Sequence, residues 1–513
     1  MPVGALISMP GSFSNRNWEI KYQQSIDVLD SIGTSIKIGV SLNNVKRILP
    51  NLEENYDEWL TNKARFVYDS FSIQRLHYPK LKLLFKFISI SWKIAIYMFI
   101  YLLYNNSYNI IQSFIGPYSS LELVYNLRSL FNSIGCNNIY YYELSISKCD
   151  FRYMYLLNNT IRSLNNILDL LVIGSNIRLE APLLNSIFRK NYLNFSNFKV
   201  YLIGLGLNYY NYPVINIGSS LISLYKYLLG LSIANKYFLF NNYYNLNNFN
   251  CNNYFTLNIL LGSSSLIRND FNNVLKSLIY FLKNINMNIN NMCILSRHLG
   301  KISSMELNSY FNIKKLNKFT KLNKFNFFIG VDNVYFKLKK KKYMNVLVGF
   351  FFLFNFFEYI NIVLCSSIYV ENTFSYLNLE GRYRYTNKVI SSTKFIFADY
   401  NIIESLNILL KFICVNNFSI LKLFTHIISF FSNKFNYILN YLFNLNLLIK
   451  YYNLNNNYLL SNYVDCIYIC CYELKYSNTL IDKIVYNYYN SDIYSKHSLT
   501  LSTMALKINF KNF

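Results

Sequence analysis

Glycine and proline are scarce in this chain, 16 and 7 among 513 residues, and carboxylates number only 25 against 50 lysines and arginines. So little glycine and proline excludes collagen-like and low-complexity linker architectures. The nine cysteines, at 136, 149, 251, 293, 365, 414, 466, 470 and 471, include no pair with the two-residue spacing of zinc or cluster sites. The closest group, Cys466, Cys470 and Cys471, lies among Val464, Ile467, Tyr468 and Ile469 and reads as buried thiols. His77, His298, His426 and His497 are scattered, and none sits in an HExxH or CxxCH setting, which makes them core or surface histidines. There is no P-loop and no Gly-x-Gly-x-x-Gly opening a first strand. The chain begins Met1-Pro2-Val3-Gly4 with no basic or amphipathic leader, so an organellar protein of this sequence is expected to be made in its organelle. Long apolar runs are lacking as well. Ile94 to Tyr104, Tyr343 to Phe357 and Phe435 to Ile449 each fall short of the roughly 18 residues that cross a bilayer. Lys93, Glu358, Lys434 and Lys450 limit their extension, and all three read as core elements with no transmembrane segment.

What is abundant shares one cause. Tyr (49), Phe (42), Asn and Lys have A/T-rich codons, the signature of a small AT-rich genome. The formal charge of +25 is therefore a weak argument for a polyanion partner, and Lys314 to Lys324 and Lys337 to Lys342 read as solvated loops. With 53% apolar residues the chain is expected to fold, and its length predicts two to four lobes around one or more substantial cores.

Several short apolar runs end in glycine: Leu170–Ile173 before Gly174, Val200–Ile203 before Gly204, Ile259–Leu261 before Gly262, Phe327–Ile329 before Gly330, and Val346–Val348 before Gly349. Runs without polar alternation are strands covered on both faces, and the segments between most of them have room for crossover helices. The fold class expected is α/β: a small β-rich lobe, then doubly wound parallel sheets, then a helical C-terminal region. Residues 1–80 form the lobe, with its acidic cluster Glu53, Glu54, Asp57 and Glu58, the β-like run Ser35 to Val40 and a linker near Gln74 to Leu81. Residues 81–425 form the α/β part, with an expanded Asn/Tyr-rich loop from Leu231 to Tyr254, and 426–513 the biased C-terminal region.

Three segments stand out from the biased background. The first is Ser25-Ile26-Asp27-Val28-Leu29-Asp30-Ser31-Ile32-Gly33-Thr34-Ser35-Ile36, followed by Val45 to Pro50 and by Glu58-Trp59-Leu60-Thr61-Asn62-Lys63-Ala64-Arg65-Phe66. The second is Tyr155 to Ile161, then Asp169 through Gly174-Ser175-Asn176-Ile177-Arg178-Leu179-Glu180-Ala181-Pro182 to Asn185. The third is Tyr369-Val370-Glu371-Asn372 with Tyr376-Leu377-Asn378-Leu379-Glu380-Gly381-Arg382. Singly, Gly-Ser-Asn is a turn, Glu-Ala-Pro a helix start and Glu-Gly-Arg a hairpin. Ser91-Trp92, Gly262-Ser263-Ser264, Arg268-Asn269-Asp270, Gly330-Val331-Asp332 and Thr503-Met504-Ala505 are weaker echoes. In this order and spacing the segments resemble the C-terminal, molybdopterin-oxidoreductase-like part of the 75-kDa subunits of respiratory complex I (NuoG-type), over nearly the whole chain.

That resemblance implies a scaffold subunit of mitochondrial NADH:ubiquinone oxidoreductase, in the peripheral arm on the matrix side of the inner membrane, with no catalytic residue of its own. It also implies no molybdenum and no cofactor in this chain. The iron–sulfur clusters are expected on a separate chain, the N-terminal half of the subunit, and the other partners are further peripheral-arm subunits. The family's cluster cysteine aligns with Met1, and the position of a second cluster cysteine is Leu60. A split of the gene at Met1 is the expectation. Gly174, Asn176, Arg178, Glu180, Pro182, Glu371, Asn378, Glu380, Gly381 and Arg382 are expected to keep the architecture by local hydrogen bonding, Asn176 by satisfying turn amides and Arg178 with Glu180 as a pair. Two rival readings stay open. An active molybdopterin oxidoreductase would hold stoichiometric metal. A basic organellar RNA-binding or ribosomal protein would bind RNA with steep salt dependence, and no nucleic acid is expected otherwise.

Overall fold

In the computed structural model the described residues are 11–511 apart from 12–13, 53–57, 84–85, 106–110, 137, 142–150, 205–209, 229–256, 267, 269–270, 285–290, 308–324, 332–343, 352–358, 393–394 and 417–486. Met1, the Leu231–Tyr254 loop, both lysine-rich stretches and most of the biased region between 426 and 490 thus lie outside them, as do His426 and Asp332.

The N-terminal lobe is an antiparallel sheet of β1 (Lys21–Ile26), β2 (Ser35–Ser41) and β3 (Asn44–Pro50). Its alternation is that of a sheet with one wet face: Ile36, Ile38 and Ile48 are buried, while Lys37, Gly39 and Arg47 take the opposite face. After β3 a short helix, Asn62–Phe66, begins at Thr61, whose hydroxyl accepts the Ala64 N–H at 3.1 Å.

A seven-stranded sheet is built from two distant stretches of chain. Its order is β5 (Lys86–Ser89), β4 (Lys80–Leu83), β15 (Ile362–Cys365), β14 (Met344–Gly349), β13 (Phe325–Ile329), β6 (Ile111–Ile115), β7 (Ile139–Tyr141). The five strands from β15 to β7 are parallel, and the β4–β5 hairpin adds an antiparallel edge. A buried amide ladder locks the register of its centre. Gln112 donates to Asn326, Asn326 to Asn345 at 2.7 Å, and Asn345 to the Tyr359 carbonyl at 2.6 Å.

Between β7 and β13 the chain builds a second sheet, wholly parallel, in the order β10 (Ile215–Gly218), β9 (Lys199–Ile203), β8 (Asp169–Ile173), β11 (Leu257–Leu261), β12 (Met292–Ile294). Alternate side chains feed opposite cores. Leu170, Val172, Val200, Leu202 and Leu260 pack one way, and Leu171, Ile173, Ile203, Ile259 and Leu261 the other. The expected fold class holds, and each of the five glycine-terminated runs is a strand of one of these sheets.

Both sheets reverse their strand order once, between β8 and β11 and between β6 and β13. Glycines face each other at each reversal. A Cβ on Gly262 would lie 2.1 Å from the Ser175 Cβ, and one on Gly116 would lie 2.0 Å from the Gly330 carbonyl oxygen. A last hairpin, β16 (Phe374–Leu377) and β17 (Tyr383–Thr386), reaches from the seven-stranded sheet toward the lobe. The C-terminal helices Ile493–His497 and Leu499–Lys511 pack on the lobe's Val67–Phe71 turn. Among the described residues no helix is long and apolar enough to cross a membrane.

Candidate functional site

The three segments singled out in the sequence converge on one junction. The Leu379 N–H donates to the Ser31 carbonyl at 3.1 Å, and the Leu379 carbonyl accepts from Leu157 N–H at 2.9 Å. Glu380 accepts the Ile161 N–H at 2.6 Å and pairs with Arg382 at 3.2 Å. Asn378 shapes the turn: its side-chain oxygen accepts from the N–H groups of Glu380 (3.1 Å) and Arg382 (2.8 Å). Gly381, at φ +75°, supplies the left-handed residue, and its carbonyl accepts from Arg152 at 3.4 Å. Lobe, parallel sheet and hairpin are thus joined through these residues.

Local bonding describes this loop but not every expected residue. Glu371 pairs at 2.7 Å with Arg75, nearly three hundred residues earlier, and both side chains are buried, at 8% and 2% exposure. Glu371 also accepts the Ile368 N–H at 2.9 Å, and the Arg75 guanidinium lies over the Phe351 ring. Gly174 ends β8 at φ +62°, and Pro182 opens the helix Pro182–Asn194 at its first turn. Glu180 is buried and accepts the Asn176 N–H at 3.4 Å, whereas Arg178 is exposed. The expectation for the Asn176 amide is corrected. It makes no capping bond, and although it is buried neither of its polar atoms has a partner among the described residues, because the turn's amides are met by backbone carbonyls and Glu180.

Under the lobe lies a polar cleft lined by Asp30, Thr61, Lys63, Glu180, His298 and Asp492, among others. Lys63 forms a buried ion pair with Asp492 from the C-terminal segment, bonds Ser491 Oγ at 2.5 Å and stands 4.5 Å from the Tyr488 ring centroid. His298 Nε2 lies 3.7 Å from Asp492. Burial raises the Asp492 carboxyl, but Lys63, His298 and Arg297 outweigh it and hold it well below the usual range. Asp27 and Asp30 go the other way. Burial, with the charge of Asp30 second, lifts Asp27 to about 7 despite bonds from Leu29 N–H (2.9 Å) and Thr61 (3.4 Å). Burial lifts Asp30 to about 6. The arrangement holds charge and protons away from water; among the described residues no three His, Cys, Asp or Glu are placed to hold a metal ion. Sequence reading passed over this cluster. Lys63, Asp27 and Asp30 lie inside quoted motifs, but nothing in the sequence marks Asp492 as the counterion of Lys63, or Arg75 as that of Glu371.

Residues 75–407 match the family model for molybdopterin oxidoreductase, and residues 20–69 match that for the NADH-ubiquinone oxidoreductase NDSU1/NuoG-like 4Fe-4S domain. The chain is 28% identical over 435 residues to the NADH-ubiquinone oxidoreductase 75 kDa subunit of Reclinomonas americana, covering 79% of this chain and 60% of that one. To the mitochondrial NADH-ubiquinone oxidoreductase 78 kDa subunit of Candida albicans it is 27% identical over 421 residues, 79% of this chain and 55% of the relative. It therefore spans somewhat over half the length of these relatives. Acetylene hydratase from Pelobacter acetylenicus shares the fold, with a TM-score of 0.51 and 11% identity over 75% of this chain and 69% of that one.

The 4Fe-4S match corrects the expectation that this chain is without cofactor and that iron–sulfur clusters belong to a partner: the chain itself carries the iron–sulfur domain of this type. Counting cysteines misled the sequence reading, since the domain's likeness rests on residues 20–69, a span of three strands and a helix with no cysteine in it. Those residues do not fit a cluster held by thiolates of the span alone; Leu60 is buried in the apolar core there. At the tip of the parallel sheet Ser175, Ser264 and Ser265 pack against the Gly174–Gly262 contact, and the Ser264 hydroxyl bonds the Gly174 carbonyl. The buried thiols Cys293 and Cys365 are pushed up to about 12 by burial and stay protonated. The match over residues 75–407, which takes in both doubly wound sheets, places the chain in the molybdopterin oxidoreductase family.

Proposed function

We propose that this chain is a non-catalytic scaffold subunit of mitochondrial NADH:ubiquinone oxidoreductase, standing in the peripheral arm on the matrix side of the inner membrane and supporting electron transfer there. In this reading it is organelle-encoded, and other peripheral-arm subunits dock on it. One observation carries the reading. The cleft under the lobe is bridged by a buried Lys63–Asp492 pair that ties the lobe to the C-terminal segment, a structural use of the site's charges. Likeness to proteins named as 75 kDa and 78 kDa subunits of NADH-ubiquinone oxidoreductase supports it. The test is a native gel of mitochondrial membranes stained for NADH dehydrogenase activity, with mass spectrometry of the active band. The chain is expected there in amounts matching the other subunits; its absence from the band would refute the assignment.

A further inference from the structure

The outward end of the N-terminal lobe has a surface that its own fold does not use. Only three tryptophans occur in 513 residues, and Trp18 is 81% exposed in the turn that leads into β1. The side chain of Asn15, in the same turn, donates to Ser41 at 2.7 Å and so ties the turn to the tip of the β2–β3 hairpin. At that tip Leu42 and Asn43 hold φ +51° and +61°, both left-handed. A two-residue hairpin of this geometry favours Asn-Gly, and a bulky Leu at positive φ is an outlier that asks for a reason. Asn43 clamps the tip through two bonds with Ser391, at 3.2 and 2.8 Å, while Leu42 is left 89% exposed. An apolar side chain is thereby presented from a fixed backbone, at an entropy cost met on folding rather than on binding.

Beside it the wet face of the sheet is preset for anions. Tyr22 and Arg47 stand on either side of Gly39 in the register, and a Cβ on Gly39 would come within 2.9 Å of the Tyr22 ring. In the space left by that missing side chain Arg47 Nε donates to the Tyr22 hydroxyl, with the guanidinium 5.2 Å from the ring centroid. An arginine held in one orientation is suited to bidentate carboxylate recognition. From Gly11 to Pro50 the cations are Arg16, Lys21, Lys37, Lys46 and Arg47, while the carboxylates are Glu19, Asp27 and Asp30. Asp27 and Asp30 are buried, and Glu19 is engaged by the Arg16 N–H at 2.9 Å and by Asn15. Over the three strands and the hairpin tip, from Gly11 to Pro50, the exposed charge is therefore mainly basic, with Trp, Tyr and Leu set among the cations.

We infer that the surface formed by Trp18, Tyr22, Leu42 and Arg47 docks an acidic polypeptide segment of a neighbouring subunit; the inference rests on the chain being part of a larger assembly. Aromatic and arginine anchors beside an exposed aliphatic side chain are the make-up of protein–protein contact centres. A second copy of this chain is disfavoured as occupant, because a two-fold contact would set the same cations against each other.

The experiment uses the intact native assembly. Hydroxyl-radical footprinting compares Trp18 and Leu42 with Leu193, which is 71% exposed near the end of the helix Pro182–Asn194, and a zero-length carbodiimide cross-linker couples lysines to adjoining carboxylates. Trp18 and Leu42 are expected to react at least about five-fold more slowly than their exposure relative to Leu193 predicts, and Lys21 or Lys46 to couple to an Asp or Glu of another subunit. Full reactivity at both positions, coupling only to a second copy of this chain, or protection removed by ribonuclease or by delipidation would each overturn the inference. Absence of the chain from the assembly would instead refute the subunit reading.

Discussion

At the scale of single residues, the buried charges decide most. Lys63 and Asp492 are each under 10% exposed, so removing one leaves the other without compensation in a dry place. A broken buried pair costs about 3–5 kcal/mol, whereas replacing both partners with apolar side chains of similar volume is often neutral. Asp492→Asn is therefore expected to lower the unfolding free energy by several kcal/mol, and Lys63→Met with Asp492→Leu to recover most of it; denaturant midpoints of the three proteins decide. Asp27 carries the opposite sign. Its folded-state value is raised from 3.8 to about 7, so its stabilising contribution is complete below the unfolded value and is lost as pH rises through about 7. Asp27→Asn is expected to flatten the decline of stability between pH 4 and 7 and to leave the protein more stable than wild type at pH 8. A thermal midpoint series over that range tests it, and an unchanged slope would refute the assignment. Asp492 supports the fold in the other direction, its contribution being lost as pH falls below the ordinary carboxylate range.

At the scale of elements, the glycines separate two kinds of need. Gly135 caps the helix Leu121–Ile134 at φ +77° with nothing within 4 Å of a Cβ, so its requirement is conformational. Gly116 has no left-handed φ, yet a Cβ there would sit 2.0 Å from the Gly330 oxygen across the β6–β13 reversal, so its requirement is steric. Gly135→Ala is expected to cost about 1 kcal/mol. Gly116→Ala must push two central strand tips apart and is expected to cost about 2–4 kcal/mol, as overpacked cores do. Equal losses for the two, read from unfolding midpoints, would count against the tip contact. These elements also show what was legible. Glycine after an apolar run located five strands, because a doubly covered strand needs no polar alternation and its tip often needs glycine. The same rule passed over β6, although Ile111–Ile115 precedes Gly116, since Gln112 and Ser113 break the apolar run. Gln112 is polar because it belongs to the amide ladder with Asn326 and Asn345, a tertiary arrangement that no local pattern encodes. Nor could local pattern show that the runs divide between two sheets, one of which draws strands from both ends of the described α/β region.

For the whole molecule, the question is what keeps the N-terminal lobe seated on the sheets, and the C-terminal segment gives the fullest account. Tyr494 is fully buried in an aromatic nest contributed by several parts of the chain, with ring centroids 6.3 Å from Phe71, 5.1 Å from Tyr118, 5.8 Å from Phe350 and 5.7 Å from Tyr369. His497 stacks on Phe351 at 4.4 Å, and its Nδ1 bonds the Ile493 carbonyl at 2.7 Å. Thr500 donates its N–H to Asp69 of the lobe at 2.9 Å, and Asp492 holds Lys63. One segment thus pins the lobe to the seven-stranded sheet from beneath, using apolar contact for affinity and two charged residues of the lobe for register. Tyr494→Ala would remove an aromatic core side chain, at about 3–5 kcal/mol, while leaving the strands of both sheets intact. The loss is expected to appear first as local opening rather than global unfolding. In the full chain, limited proteolysis of the Tyr494→Ala protein should cut within the Val67–Leu76 connection at least about ten times faster than in wild type, with little change in the fragments from the parallel sheet. Cleavage accelerated equally throughout the chain would mean that the segment supports the whole fold and not the seat of the lobe, and the clamp would have to be given up.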